Sequence, residues 1–194
     1  MIFDPGPHEY WNDARTVLYP SVTQVLKRAG VIDDRWYNAD ARDRGSAVHA
    51  LCERYANGER SDKHGRYMAG LEYVRGFAEW LAVYGVWAEA TECRVYGKIN
   101  GKAYAGTFDL LAIINGKRVL VDIKTGAKAK WHPVQLAAYA MARPVVDGVV
   151  QDRQVNPDAL AVLYLQPETY RYEKIPGLKM VEAIQEFKGY LHGN

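Results

Sequence analysis

Polar and apolar positions change period once along the chain, near residue 87, and the elements follow from that change. Before it the apolar spacing is helical. Pro20-Ser21-Val22-Thr23-Gln24 carries a capping-box pattern, Ser21 with Gln24 three residues on, which predicts the start of a short helix. Residues 40–57 read as a second helix that stops at Asn57-Gly58. Residues 66–84 place Leu71, Val74, Phe77, Ala78 and Leu81 on one helical face. After it the pattern is that of strands over 88–97, 102–114 and 117–124. Asn100-Gly101 and Asn115-Gly116 separate these runs, and Asn-Gly is the strongest short hairpin signal because type I′ turns need positive φ at both central residues. A three-stranded antiparallel meander is therefore expected at the centre of the protein. A helix over 132–142 with Pro133 in its first turn, a polar loop over 143–158, strands over 159–166 and 169–175, and a final helix over 177–191 complete the chain. Residues 1–20, rich in Pro and Gly, read as an irregular arm.

This order predicts an α/β protein, a central mixed sheet flanked by helices. With 194 residues, no internal repeat and no low-complexity tract, residues 1–194 read as a single domain. The hydrophobic fraction of 48% and charged fraction of 25% are those of an ordinary globular protein. A net charge of +2 permits a local basic groove but argues against a large DNA-coating surface. Two cysteines, Cys52 and Cys93, are too few for a disulfide framework, a four-thiolate zinc site or an iron–sulfur cluster. The N-terminal stretch has neither the basic nor the apolar region of a secretory signal, and no apolar run is long enough to span a bilayer. An intracellular, cytoplasmic protein without a membrane partner is expected.

The two hairpins bring carboxylates together. Asp109 lies six residues before Asn115, and Asp122 six after Gly116, so they are cross-strand partners. Glu92 lies eight before Asn100, and Asp109 eight after Gly101, so they are partners too. Without a bulge, Glu92, Asp109 and Asp122 form one row, neighbouring Cβ atoms roughly 5 Å apart. Lys124, two residues past Asp122, shares their face. A bulge at Gly97 or Gly106 would break the row and turn Glu92 away. Like charges in register on a half-buried sheet repel, and a cation relieves them. Oxygen ligands at this density suit Mg²⁺ or Mn²⁺, and a neighbouring lysine orients water or stabilises charge on a phosphate. Read alone, Asp122-x-Lys124 is equally a strand-end charge pair.

Other residues join this chemistry by position. His49 and Glu53 are four apart on the second helix. His49 is either a further ligand or an ordinary helix histidine, and Glu53 either joins it or is solvated. Arg42 and Arg44 precede them and either touch phosphates or are solvated. Gln135 and Tyr139, also four apart, either hold a phosphate or the lysine, or simply pack. Thr125-Gly126 with Lys128 and Lys130 forms a basic loop that either meets a DNA backbone or is solvated.

Taken together, these segments resemble the RecB-like branch of the PD-(D/E)XK nucleases. That branch includes bacterial recombination nucleases, a CRISPR-adaptation nuclease, a mitochondrial genome-maintenance exonuclease and many phage proteins. The resemblance runs over about residues 20–140. It rests on Gly45-x3-His49, Gly106-Thr107-Phe108-Asp109, Val121-Asp122-Ile123-Lys124-Thr125-Gly126 and Gln135-x3-Tyr139, in the family's order, with Pro20-Ser21-Val22-Thr23 ahead of them. It implies a restriction-endonuclease-like core. It further implies one or two Mg²⁺ or Mn²⁺ ions held by His49, Asp109, Asp122 and the carbonyl oxygen of Ile123. Lys124 would be the catalytic lysine, with Gln135 and Tyr139 flanking the site. Many members have an acidic residue on the first strand of the meander, where Glu92 lies. Arg44, Thr125 and Lys128 are the expected substrate contacts. The implied activity is a DNA exonuclease leaving 5′-phosphate and 3′-hydroxyl ends, in phage, prophage or bacterial recombination, replication or repair. The chain lacks the four cysteines of the cluster-binding members. It also lacks G-x4-G-K-[ST], so ATP-driven unwinding would need a partner; DNA and a recombination or single-strand-binding partner protein are the expected partners. A structure- or site-specific endonuclease and a DNA-binding subunit with a retired site are the alternatives. A binder of a small phosphorylated ligand is a third, for which no convincing Gly-rich loop at a helix N-terminus is present.

Overall fold

A computed structural model describes residues 1–32, 39–61, 64–65, 68 and 71–193. In chain order its elements are β1 (Ile2–Asp4), β2 (Glu9–Trp11), β3 (Leu18–Tyr19), α1 (Val22–Arg28), α2 (Ala39–Ala56), α3 (Glu72–Tyr84), β4 (Trp87–Ile99), β5 (Lys102–Ile114), β6 (Lys117–Lys124), α4 (His132–Met141), β7 (Arg143–Val146), β8 (Val149–Val150), β9 (Ala159–Gln166), β10 (Thr169–Lys174) and α5 (Gly177–His192). The capping box forms as the sequence predicts: Ser21 Oγ accepts from the Gln24 N–H at 3.1 Å, and Gln24 Oε1 accepts from the Ser21 N–H at 2.9 Å. α3 begins later than its periodicity indicates, at Glu72, and of the residues expected ahead of it Arg66, Tyr67, Ala69 and Gly70 lie outside the described residues.

The main sheet has the order β10-β9-β6-β5-β4-β7-β8. It is mixed, with β6 and β9 parallel and the other pairs antiparallel. Helices cover both faces. Leu26 of α1, Leu136 of α4 and Phe187 of α5 pack with Leu120 and Val162 on one side. Val48 of α2 with Phe77 and Trp80 of α3 packs with Val121 and Leu163 on the other. The apolar run along β9 follows from this: alternate residues feed opposite clusters, so neither face can be polar. Among the described residues no helix is long and apolar enough to cross a membrane.

Two stretches differ from expectation. Residues 143–158 are not wholly a loop, because Val145-Val146 and Val149-Val150 pair across an Asp147-Gly148 turn, and Pro144 seats this hairpin on β4 opposite Val95. Pro144 belongs to a strand near the sheet edge, where a missing N–H is tolerated. Residues 1–20 are not wholly irregular either. β1, β2 and β3 form a small antiparallel sheet whose Tyr10, 1% exposed, packs on Ala105 of β5 and Val145 of β7. Strands of two or three residues carry no period of their own and exist through such packing.

The meander keeps the register that the two turns dictate, but not to its ends. Gly97 pairs with Tyr104 and Gly106 with Val95, so neither glycine is a bulge. The irregularity falls instead between Ala88 and Ala90. Along β5, Tyr104 and Phe108 lie in the cluster beneath α4, whereas Leu110, Ala112 and Ile114 lie in the cluster beneath α2 and α3. Residues of one parity thus change faces across Asp109. Opposite this point Glu92 takes φ 43°, a left-handed value uncommon for a side chain other than glycine. The β5–β6 ladder ends at Leu110↔Val121, one residue short of Asp109 and Asp122.

Candidate metal centre and cleft

The reversal at Asp109 sets the geometry of the site. Asp109 reaches α2 on one side and the end of β6 on the other. Its Oδ1 lies 3.4 Å from His49 Nδ1, and its Oδ2 accepts the Ile123 N–H at 2.6 Å, taking the place of the next ladder bond. Glu92 Oε1 approaches the same His49 nitrogen at 3.8 Å. Ligand atoms of His49, Glu92 and Asp109 all lie within 4.8 Å of one another. Left-handed backbone at a non-glycine residue costs about 1–2 kcal/mol. Glu92 bears that strain where it also meets a second carboxylate.

Asp122 occupies the adjoining position and is 3% exposed. Lys124 Nζ sits 2.7 Å from each of its oxygens, but only the contact to Oδ1 has hydrogen-bond geometry. Asp122 Oδ2 is a buried acceptor without a hydrogen-bond partner. Lys124 also lies 5.7 Å from the centre of the Trp131 ring. Gln135 Nε2 donates to the Tyr139 hydroxyl at 3.3 Å and to Thr23 Oγ1 at 3.4 Å. The Tyr139 ring lies flush against Gly106, where a methyl carbon would stand 2.5 Å from its Cε1. The glycine three residues before Asp109 is thus the space that admits Tyr139.

Electrostatics follow from crowding acids in a low dielectric. Burial works against the charged form of His49, but Asp109 and Glu92 overcome it and raise its pKa to about 10. Burial works against ionised Asp109 as well, yet His49, Lys124 and the Ile123 N–H together lower its pKa. Asp122 goes the other way. Burial, with the charge of Asp109 adding to it, outweighs Lys124 and lifts it to about 6. Burial and the two aspartates also hold the Tyr139 hydroxyl well above its ordinary range, so it is a neutral donor.

His49, Glu92, Asp109, Asp122, Lys124, Gln135 and Tyr139 line one cleft of about 780 Å³, together with Glu53 and Gly45. Other expected positions do not join them. Arg44 is an exposed residue of α2 outside the lining, and Thr125 packs towards Gly45 from outside it. Lys128 pairs with Glu173 at 2.6 Å and lines a separate pocket with Lys130, Lys174 and Lys179. The contact of Ile123 seen at the site is through its N–H. His132, unassigned by sequence, is buried and bonded through Nδ1 to the Tyr164 hydroxyl at 3.0 Å, a core role.

A second wall of the cleft carried no sequence signal. Phe3 and Tyr10 of the small N-terminal sheet, with Pro5, Pro7 and His8 of its first turn, line the same cleft as His49, Glu92 and Asp109. The Tyr10 hydroxyl is bonded to Thr107 at 2.9 Å, two residues before Asp109, which ties the small sheet to the site.

No family model and no curated protein matches the chain. Among solved structures, the protein SSO0001 is 17% identical over 90% of this chain and 75% of its own, with a TM-score of 0.47. A protein from Eubacterium rectale, named provisionally as an exonuclease, is 16% identical over 90% of this chain and 82% of its own, with a TM-score of 0.48. Both are distant likenesses.

Proposed function

We propose that the protein is a metal-dependent DNA exonuclease with a PD-(D/E)XK-type site. The observation that carries this reading is the convergence of His49, Glu92 and Asp109 within 4.8 Å beside the Asp122–Lys124 pair in one cleft. The donor set fits a divalent cation. It offers one imidazole and three carboxylates, and Asp122 Oδ2 is a buried acceptor left without a hydrogen bond. His49, Glu92, Asp109 and Asp122 would hold Mg²⁺ or Mn²⁺, and the ion would supply Lewis-acid stabilisation of charge on the phosphate and leaving oxygen.

The chain's own residues have separable tasks. Lys124, held by Asp122 and facing Trp131, presents an ammonium at the cleft wall that orients the attacking water or a phosphate oxygen. Asp109 locks the end of β6 through the Ile123 N–H, which fixes Asp122 and Lys124 on either side of it. Gln135 donates to the Tyr139 hydroxyl and orients it, so that the proton of this neutral phenol, at the same cleft, is suited to a non-bridging phosphate oxygen. Recombination, replication or repair of phage or bacterial DNA is the setting that the resemblance implies. The test is cleavage of end-labelled linear DNA against a closed circle, with Mn²⁺, with EDTA, and with Lys124→Ala. Metal-dependent loss of the linear strand alone, absent in the variant, is expected. Cutting of the circle would make the protein an endonuclease, and no cutting of either would remove the proposal.

A further inference from the structure

Arg94 belongs to none of the motifs, yet β4 aims it into the same cleft. Arg94 pairs with Thr107 in the β4–β5 ladder, two residues from Glu92 and Asp109 on their respective strands. Two residues of strand advance roughly 6.6 Å, on the order of one nucleotide of an extended single strand. Four carboxylates, Glu53, Glu92, Asp109 and Asp122, face the cleft and would repel a polyanion. Lys27, Lys124 and Arg94 line the same cleft; Lys124 is held by Asp122, and Arg94 stands two residues beyond Glu92 on β4.

The small N-terminal sheet holds Arg94 in place. Its guanidinium carbon sits 4.8 Å from the centre of the Phe3 ring, a cation–π contact. Phe3 in turn packs at 5.0 Å against each of His8 and Tyr10, and Tyr10 is bonded to Thr107. Stacking on a fixed ring orients the planar fork of guanidinium N–H groups, which matches two phosphate oxygens. A cleft of about 780 Å³ falls in the range of small-ligand sites and has room for a nucleotide or two of a single strand.

We propose that Arg94, seated on Phe3, forms a subsite for the phosphate one nucleotide from the scissile one on a single DNA strand. The subsite rests on the nuclease reading, and binding is therefore measured apart from cleavage. A short fluorescein-labelled oligo(dT) is titrated with wild type, Arg94→Ala, Arg94→Lys and Phe3→Ala in Ca²⁺ over a range of salt. Arg94→Ala should weaken binding about tenfold, as expected for losing one charge-assisted contact. It should also reduce the slope of log K against log salt by about 0.7, the share of one phosphate on a single strand. Arg94→Lys should keep the slope and lose part of the affinity. Phe3→Ala should lose severalfold in affinity with the slope unchanged, because the charge remains while its orientation does not. Wild-type affinity and slope in Arg94→Ala, alongside Mn²⁺-dependent cutting by the wild type, would overturn the subsite and leave the nuclease standing. A wild type that neither binds nor cuts the strand would overturn both.

Discussion

Gly106→Ala would place a methyl carbon 2.5 Å from Tyr139 Cε1, whereas ordinary carbon contacts are about 3.5–4.0 Å. Tyr139 is 6% exposed, so its ring has no free direction in which to retreat by the missing ångström or so. Overpacking of this kind costs roughly 1–3 kcal/mol. For a chain of this length that is a fall in Tm of about 2–12 °C. Gly106 itself has no positive φ to protect, and away from Tyr139 an alanine in a strand interior is expected to gain about 0.5–1 kcal/mol over glycine. The sign of the effect therefore depends on the tyrosine. Thermal and urea unfolding of Gly106→Ala in the wild-type and Tyr139→Leu backgrounds closes a double-mutant cycle. Leucine ends before the clashing carbon, so the alanine should be strongly unfavourable in the first background and neutral or favourable in the second. Equal cost in both backgrounds would refute the claim that Gly106 exists to admit Tyr139.

Further expectations concern charge. Asp122 is raised from its ordinary 3.8 to about 6, so the folded state binds more protons than the unfolded between those values. Stability of the metal-free protein then falls as pH rises through that window, and Asp122→Asn in EDTA should stabilise at pH 7–8 by about 1–2 kcal/mol once the lost Lys124 contact is subtracted. The gain should vanish near pH 4, and destabilisation at pH 8 would contradict the assignment. His132 is held down, by burial first and Lys124 second, from 6.5 to about 3, so the unfolded state binds the extra proton between those values. Its contribution is complete above pH 6.5 and is lost on acidification by at most about 1.4 kcal/mol per pH unit. The stability curves of wild type and His132→Gln should approach one another from pH 7 to pH 4, and parallel curves would exclude this role.

How much of this was legible in sequence depends on whether a local rule or a distant contact decides each feature. The meander was legible because two Asn-Gly turns set β4, β5 and β6 within a few residues of their observed ends. The same turns brought Glu92, Asp109 and Asp122 to neighbouring positions, although none of the three is paired in the ladders, which flank them at Thr91↔Leu110, Cys93↔Phe108 and Leu110↔Val121. What the register could not reveal was the exchange of faces at Asp109, the left-handed φ of Glu92 and the early end of the β5–β6 ladder, all of which arise from tertiary bending of a long hairpin. Through that bend Asp109 reaches both His49 on α2 and the backbone of β6. The hairpin of β7 and β8 did carry a signal, Val-Val-Asp-Gly-Val-Val, that a reading of the segment as polar passed over. The wall of Phe3, His8 and Arg94 had none, because cation–π seating between residues as far apart in the chain as Phe3 and Arg94 leaves no spacing to read. Lys128 looked like a phosphate contact from its basic loop, and only the structure shows its partner to be Glu173.

Binding of Mn²⁺ to the DNA-free protein, followed by isothermal titration calorimetry at pH 7.5, tests the central claim most directly. Wild type should bind one or two ions, His49→Ala should bind more weakly, and Asp109→Ala, folded by circular dichroism, should lose the site. Mn²⁺ binding that is absent from the wild type, or unchanged in Asp109→Ala, would contradict a metal centre at His49, Glu92 and Asp109.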